Sequence, residues 1–528
     1  MFLFGKKKKA QENEREKIQS TDSLEVNITK VKELLKDCDD VVYKEFVVGV
    51  EQKLRFTAIY IDGMIDTHKL NNAVLNPLMI QARYIPPEAP KLSNKLYELV
   101  RYGTIPASEL KESEDINEAI LDILIGDAVL FIDGIRTLIT ISVKGWPARS
   151  IDEPSTETVI RGPRDGFVET FRMNTALVRR RIRDHKLKLK QLRIGRRSQT
   201  DVGVFYIEDI AKAELVDEVF RRLKSIEIDA ILDSGYIEQL IEDDPYSPFP
   251  QILASERPDE AAAELYEGRV VILVDNSPFC LIMPATLNSM FQSPEDYYDR
   301  WIIATVLRTI RYAASLIAMV LPSLYIALTS YNTGILPTKL ILSIAASREG
   351  VPFPALVEAF VMEGTLELLR EAGIRLPVSI GNAIGIVGGL VIGEAAVRAG
   401  IVSPIMVIIV AITAIASFAN PSYNLSEGFR LLRFSLMVIS GILGLYGLAL
   451  GLIMIFTHMA RLKCFNVPYL TPYVAVEPGD FKDTIYRAPT YKMIKRPPLT
   501  SKNVVRMRNN RPVIDDKAKG GTKDDKRQ

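Results

Sequence analysis

An abrupt change in polarity near residue 300 restricts how this chain can fold. Charged residues are frequent up to about Arg300, whereas residues 301–459 are mostly apolar, with Gly and Pro scattered among them. Beyond Arg461 the chain becomes polar and basic again. The averages over 528 residues, 48% hydrophobic and 25% charged, are those of ordinary globular proteins and conceal this division. The pattern predicts a soluble part joined to a membrane part, and it excludes a wholly soluble protein.

The inventory of charged and reactive residues argues against several classes of function. The formal net charge is +1, so no basic excess indicates binding to nucleic acid. The cysteines and histidines are far apart in sequence, which leaves no spacing for a disulfide framework, a zinc site or a catalytic triad. We therefore predict that the chain is not an enzyme and that it carries no metal or cofactor. The cysteines are Cys38, Cys280 and Cys464, and the histidines are His68, His185 and His458.

The first 300 residues have the pattern of two consecutive α/β domains. Gly126 begins an apolar strand that ends at Asp133, and Gly268 begins a similar one that ends at Asp275. Each strand is followed by a turn and an apolar return strand. This similarity fits either an internal repeat or two independent hairpins, because Asp-Gly and Asp-Asn turns are common. The predicted units are a disordered N-terminus at 1–27, a subdomain at 28–145, a linker at 146–158 and a second subdomain at 159–290.

Periodicity assigns individual elements within these two domains. Alternating and β-branched residues predict strands, and apolar residues three to four positions apart predict helices. The predicted strands are 41–48, 54–61, 128–132, 136–143, 202–207, 226–232, 270–274 and 279–283, and the predicted helices are 27–35, 114–125, 215–223 and 235–241.

The apolar part contains enough sequence for about four membrane spans, because a hydrocarbon core of about 30 Å needs about 20 helical residues. Four spans would return the C-terminus to the side of the α/β domains, which Arg461 and Lys463 favour through the positive-inside rule. We predict a helical transmembrane domain at 300–460 and a mostly disordered basic tail at 461–528. The candidate spans are 302–330, a short and weak 383–399, 403–419 and 434–459.

Four charged residues fall inside the predicted spans. Arg308 and Arg311 lie in the first, and Glu394 and Arg398 lie in the second. Each costs several kcal/mol if it faces lipid, so these side chains should face one another, water or a subunit interface. Two interpretations remain open: an ion pathway, or structural pairing and snorkelling at the span ends.

Residues 353–372 form a predicted helix that is too charged for an ordinary span and is expected to be re-entrant or amphipathic. At about 100° per residue, two apolar residues, one glycine and three glutamates fall on one stripe. In several copies around an axis, the carboxylates would form rings that favour cations and the apolar side chains a constriction. The alternative is a helix at the membrane surface with its acidic face in water. The candidate pore-lining residues are Leu356, Phe360, Glu363, Gly364, Glu367 and Glu371.

A basic run at 179–197 follows a short turn rich in Gly, Arg and Asp. The run fits either a binding site for anionic lipid or nucleic acid, or a solvated and partly ion-paired surface. It has no interleaved aromatic residues, which disfavours a groove for single-stranded nucleic acid. The turn lacks the spacing of a phosphate-binding loop, so a structural role is predicted. Its residues are Arg161, Gly162, Pro163, Arg164 and Asp165.

Six longer motifs occur in order along the chain. They are EPSTETVIRGPRDGFVE (153–169), SPFPQ (247–251), SPEDYYDRW (293–301), REGVPFP (348–354), ELLREAGIRLP (367–377) and GIVGGLVIG (385–393). Together they resemble the A subunits of the GerA family of spore germinant receptors from endospore-forming bacteria. The resemblance covers about residues 28–475 and leaves out both ends.

The resemblance implies a multi-pass subunit of the spore inner membrane with cytosolic terminal regions. It implies a complex with a transporter-like B subunit and a lipoprotein C subunit, self-association with a pentamer as one stoichiometry, contact with membrane lipids, and early release of monovalent cations. We therefore expect a signal-transducing subunit that oligomerises into a ligand-gated cation channel. Two alternatives remain: a secondary transporter, which Gly- and Pro-interrupted spans with buried charges would suit, and a membrane scaffold associated with release of dipicolinic acid.

Overall fold

Two α/β domains come first, apolar helices follow, and the C-terminal segment returns to the second domain. The computed structural model describes residues 17–48, 54–76, 110–145, 153–154, 156–375, 392–474 and 480–506. Residues 1–16 of the predicted disordered N-terminus, most of the predicted linker and the first part of the predicted span 383–399 lie outside the described residues. The last 22 residues of the predicted tail also lie outside them.

The first domain is a five-stranded antiparallel sheet with two helices on one face. Alternate residues of its central strand, β4, point to opposite faces of the sheet. Val129 and Phe131 pack against the helices, while Leu130 packs on the other side. The strand order is β1-β2-β4-β5-β3. The elements in chain order are α1 (Leu24–Leu34), β1 (Val41–Val48), β2 (Leu54–Ile61), β3 (Leu110–Ser113), α2 (Ile116–Ile125), β4 (Ala128–Ile132) and β5 (Leu138–Ile141).

The second domain repeats this arrangement. Its strand order is β6-β7-β9-β10-β8, which is the order of the first domain with each strand replaced by its counterpart. Matching topology over five strands and two helices favours an internal repeat over two independent hairpins. The elements are α3 (Phe171–Arg181), β6 (Leu187–Ile194), β7 (Thr200–Ile207), α4 (Ala213–Lys224), α5 (Ser234–Ile241), β8 (Leu253–Ser255), α6 (Pro258–Tyr266), β9 (Val270–Val274) and β10 (Cys280–Met283).

Most of the predicted strands coincide with observed ones, and the mixed α/β architecture is confirmed. The predicted strand at 226–232 is wrong. Its carbonyl groups at Ile228 and Asp229 accept hydrogen bonds from the turn that follows β6, at Arg196 and Arg197, so the segment crosses the turn and joins no sheet. Strand β6 was not predicted, because its basic residues resemble a charged surface segment.

The helical region follows the second domain. By length and composition alone, α7 and the whole 39-residue α11 are long and apolar enough to cross a membrane. The remaining ones are shorter or more polar, and a short helix at 392–398 precedes α10. The elements are α7 (Trp301–Ser330), α8 (Thr338–Arg348), α9 (Ala355–Arg375), α10 (Pro404–Ser417) and α11 (Tyr423–Arg461).

Helix α11 is a hairpin of two arms that reverses at Gly444, where φ is 61° and ψ is −143°. A Cβ atom added at Gly447 would lie 2.5 Å from the carbonyl oxygen of Ile439, and one at Gly451 would lie 2.5 Å from Leu436. In a continuous helix Leu436 and Gly451 would be about 22 Å apart. The predicted single span at 434–459 is therefore wrong, because the chain turns back in its middle.

The tip of this hairpin is held by the end of α7. The hydroxyl of Tyr331 donates to the carbonyl oxygen of Gly441, and the N–H of Leu445 donates to the side-chain oxygen of Asn332 over 3.3 Å. These contacts satisfy backbone groups that the reversal removes from helical hydrogen bonding. Helix α10 has 14 residues and is about 21 Å long, so the predicted bundle of four full spans is not confirmed.

The C-terminal segment packs against the second domain as far as Arg506, so the prediction of a mostly disordered tail is wrong for the described part. Ala211 and Ser501 form a β-bridge, and Thr500 donates to the carbonyl oxygen of Glu267 over 2.7 Å. Arg496 donates to the carbonyl oxygen of Tyr266. The charged composition predicted a solvated chain, but the side chains of Arg496 and Thr500 form hydrogen bonds with α6 and the loop that follows it.

Candidate functional site

The predicted pore-lining helix corresponds to α9, and its apolar end packs on the first arm of α11. The side chain of Leu356 fills the space beside Gly441, where an added Cβ would lie 2.7 Å away. The rings of Phe360 and Phe434 have centroids 5.9 Å apart. These contacts run in opposite directions along the two helices, so α9 is antiparallel to this arm.

The carboxylates further along the same face are paired with arginines of α11. Glu363 accepts a hydrogen bond from Arg433 over 2.5 Å, and both side chains are 2% exposed. Glu367 accepts one from Arg430 over 2.8 Å, and Arg430 also binds Glu427. The predicted stripe is therefore a contact within one chain, and its charges are balanced there. The alternative of an acidic face in water does not fit Glu363.

A third buried carboxylate on α9 was not singled out by the sequence. Glu358 is fully buried, accepts the N–H of Ser403 over 2.9 Å and pairs with Arg348 over 3.0 Å. It joins the ends of α8, α9 and α10. Its position in the first turn of α9 gave no sign of this role, because its partner Ser403 comes from a distant part of the sequence.

A neighbouring face of α9 is apolar and exposed in the single chain. Val357, Val361 and Leu368 have exposures of 39%, 44% and 73%. Gly364 lies on the same face, and no described atom lies within 4 Å of a Cβ added there. Glu371 is exposed and, among the residues that the structure describes, pairs only with Arg375 one turn away. The structure thus separates Gly364 and Glu371 from the four other predicted residues.

Arg308 and Arg311 lie in a cluster that joins α7 to elements outside the apolar helices. Both bind Asp296, which is fully buried, with contacts of 2.8 Å. Arg308 also binds Asp483 of the C-terminal segment over 2.8 Å. The guanidinium groups of Arg308 and Arg487 each lie 5.4 Å from the ring centroid of Tyr297. The geometry fits the structural alternative for these two arginines, since the cluster fixes the C-terminal segment to the start of α7.

Replacing Asp483 by asparagine should loosen the C-terminal segment. Arg308 keeps Asp296 but loses one charged partner, which corresponds to about 1–3 kcal/mol for a hydrogen bond to a charged group. We expect faster tryptic cleavage after Arg487 in the full-length chain. Lys482→Gln is the matched control, because that neighbouring side chain is exposed. Equal cleavage rates for both variants would show that this contact does not hold the segment.

The other two predicted intramembrane charges pair with each other. Arg398 donates to Glu394 over 2.6 Å across one helical turn, and both side chains are more than half exposed. No described residue adds a third charge to this pair. An exposed pair of this kind contributes little stability in water, so its role depends on what surrounds the 392–398 helix.

The predicted structural turn contacts several distant elements. Asp165 binds Arg181 over 2.6 Å; burial opposes ionisation of Asp165, but the arginine prevails and lowers its pKa. Arg164 pairs with Glu153, and Arg161 lies 3.9 Å from Asp299. The carbonyl oxygen of Pro163 accepts from Arg257, and a Cβ at Gly162 would lie 2.8 Å from Tyr298. This turn joins α3, α6 and the segment before α7.

The basic run is largely ion-paired. Its first member, Arg179, is fully buried and binds Asp40 of the first domain through two hydrogen bonds. The members from Lys186 onward lie on β6 or its flanking turns and pair individually with acidic neighbours, as Lys186 does with Asp209. This arrangement fits the solvated surface better than a lipid site. No group of three or more metal-ligating side chains occurs in the described part of the chain.

Two repeated α/β domains followed by apolar helices define a class of multidomain protein with a large soluble part and candidate membrane-spanning helices. The chain belongs to the family described as Bacillus/Clostridium GerA spore germination protein, whose family model matches residues 29–499.

Relatives with related names cover most of the chain. Spore germination protein KA of Bacillus subtilis is 42% identical over 492 residues, which is 93% of this chain and 89% of that protein. Spore germination protein GerLA of Bacillus cereus is 48% identical over 74% of this chain and 80% of that protein. The crystal structure of the N-terminal domain of the A subunit of the Bacillus megaterium spore germinant receptor GerK3 is 33% identical. It covers 52% of this chain and 99% of that chain, with a TM-score of 0.40. The names of these relatives indicate receptor subunits, and germinant receptor subunits of this family are not enzymes.

Proposed function

We propose that this chain is the A subunit of a nutrient germinant receptor in the spore inner membrane. Several copies surround an axis, and the assembly opens to monovalent cations when the receptor binds nutrient. Membership of the family supports the role in germination. It also supports partners of the transporter-like B and lipoprotein C types. Contacts such as Thr500 with Glu267 support a topology in which the C-terminal segment and the second domain share one side of the membrane, which we take as the cytosolic side.

The observation that carries the channel proposal is the contrast between two neighbouring faces of α9. One face is held inside the chain by the buried Glu363–Arg433 pair. The other face exposes an apolar stripe with a gap at Gly364. Copies that meet through this stripe would surround a narrow apolar constriction, and such constrictions block ions by excluding water.

Opening then requires α9 to turn or shift relative to α11. The Glu363–Arg433 pair resists this movement, because separating buried partners leaves each charge without compensation. A turn that brings Glu363 and Glu367 toward the axis would replace an apolar constriction with carboxylates, which favour cations. The acidic stripe predicted from sequence is then the lining of the open state, and the apolar stripe is the lining of the closed state.

Replacing Val361 by serine tests this arrangement. A hydroxyl in the constriction should favour water there, so dormant spores are expected to release potassium without nutrient at a rate about tenfold above the parent strain. The measurement is potassium efflux from spores that contain the full receptor, at equal amounts of the A subunit.

Leu316→Ser is the matched control, because Leu316 is a similarly exposed apolar residue on α7, at 52% exposure. It should leave resting efflux unchanged. Equal leakage from both variants would indicate general damage to the membrane region, and unchanged efflux from Val361→Ser would remove α9 from the ion path.

A further inference from the structure

A small cavity with several polar lining residues lies among the apolar helices, beside the Glu363–Arg433 pair. It is bounded by α7, the loop between α10 and α11, and the first arm of α11. Five of its seven lining residues have polar side chains, although much of the wall itself is formed by apolar atoms. The lining residues are Ser315, Ala318, Ser417, Asn420, Ser426, Phe429 and Arg433.

Several polar atoms of this lining have no hydrogen-bond partner among the described residues. They are Nε and Nη2 of Arg433, the hydroxyl of Ser315 and both polar atoms of the Asn420 amide. Arg433 is 2% exposed and Ser315 is 6% exposed, so bulk solvent does not satisfy them. Buried groups of this kind are rare in native proteins, and each is costly without a partner.

The charge balance decides which chemistry fits the cavity. Three arginines near it, Arg370, Arg430 and Arg433, face three glutamates, Glu363, Glu367 and Glu427. An anion would add an uncompensated buried charge, and a cation would meet the guanidinium of Arg433. The free atoms comprise both donors and acceptors, which suits a small neutral molecule that does both. Water meets these requirements, and the space is large enough for it.

We propose that this cavity binds ordered water, hydrogen-bonded to Arg433, Asn420 and Ser315, and that the water solvates Arg433 when it separates from Glu363. The second part rests on the channel function proposed above. Separating a guanidinium from its carboxylate costs less free energy when water solvates the guanidinium than when the surroundings are dry. The site therefore lowers the barrier to movement of α9, whereas the apolar packing around it holds the resting arrangement.

The sign of a stability change distinguishes a wet cavity from a dry one. If water bridges Ser315 and Arg433, Ser315→Ala removes a partner and should lower the melting temperature of the full-length chain by about 1–3 °C. If the cavity is dry, the same change removes an unsatisfied hydroxyl and raises the melting temperature. Ser323→Ala is the control, because its hydroxyl is also buried and has no hydrogen-bond partner in the described part of the chain, but does not line the cavity.

Ala318→Val provides an independent test, because the two added methyl groups would fill the cavity. Displacement of water should lower the melting temperature, and nutrient-triggered potassium release should become about fivefold slower at equal protein level. A higher melting temperature for both variants would overturn the water site whatever the germination result. Lower melting temperatures with unchanged release kinetics would keep the water site and overturn its role in opening. The Val361→Ser efflux test decides the channel function separately.

Discussion

Gly444→Ala should destabilise the full-length chain by about 2–4 kcal/mol and lower its amount in the membrane several-fold. The backbone at Gly444 has positive φ with ψ near −143°, a region that is nearly restricted to glycine. The added Cβ would also lie 2.9 Å from the Cβ of Tyr331, at the tip of the α11 hairpin. Gly334→Ala is the matched control, because no described atom lies within 4 Å of its Cβ position.

A pair of cysteines tests the reversal without relying on loss of folding. In the hairpin, Leu436 and Gly451 face each other across the two arms, so Leu436→Cys with Gly451→Cys should form a disulfide under mild oxidation. In a continuous helix the pair would be about 22 Å apart and would not react. The native cysteines are buried and should contribute little background. A stable Gly444→Ala variant together with an unreactive pair would show that α11 is continuous.

The strands could be predicted from sequence where burial alternates or the run is wholly apolar. Strand β4 is buried at all five positions and was predicted at its observed bounds. The reversal at Gly444 could not be predicted from periodicity, because residues 434–459 contain no Asp, Glu, Lys or Arg on either side of this glycine and have the pattern of one long helix. The glycines at 441, 444, 447 and 451, three to four residues apart, are typical of close contact between helices. They did not indicate that the contact lies between two arms of the same segment.

Prediction of the candidate site from sequence was also limited to what local patterns show. Helical spacing correctly placed Glu363 and Glu367 on one face of α9, since that requires only the period of the helix. Their partners were missed, because the predicted last span began at residue 434 and so left out Arg430 and Arg433. The charge set predicted for the membrane region was therefore incomplete. Pairing across α9 and α11 depends on tertiary packing, which no local pattern records.

The largest loss of stability in the α/β domains is expected from Arg179→Met. Arg179 and Asp40 are each fully buried, and two hydrogen bonds of 2.7 and 2.8 Å join them across the two domains. Arg179 also donates to the carbonyl oxygen of Leu187 over 2.8 Å. The variant leaves the Asp40 carboxylate buried without its partner, which costs about 3–5 kcal/mol. Melting of the full-length chain and the germination rate of spores would both report this loss.

Arg179→Met could destabilise the chain by leaving the Asp40 carboxylate unpaired or by removing the hydrogen bond to Leu187, and the double variant Asp40→Leu with Arg179→Met separates these two causes. It removes both charges and leaves apolar side chains in their place, so it should recover at least half of the stability that Arg179→Met loses. Arg196→Met is the matched control, because Arg196 and Asp229 form an exposed pair whose loss costs about 0–1 kcal/mol. If Arg179→Met melts within about 1 °C of the parent chain, the pair does not join the two domains. If it melts much lower and the double variant is no better, then the hydrogen bond to Leu187 holds α3 against β6.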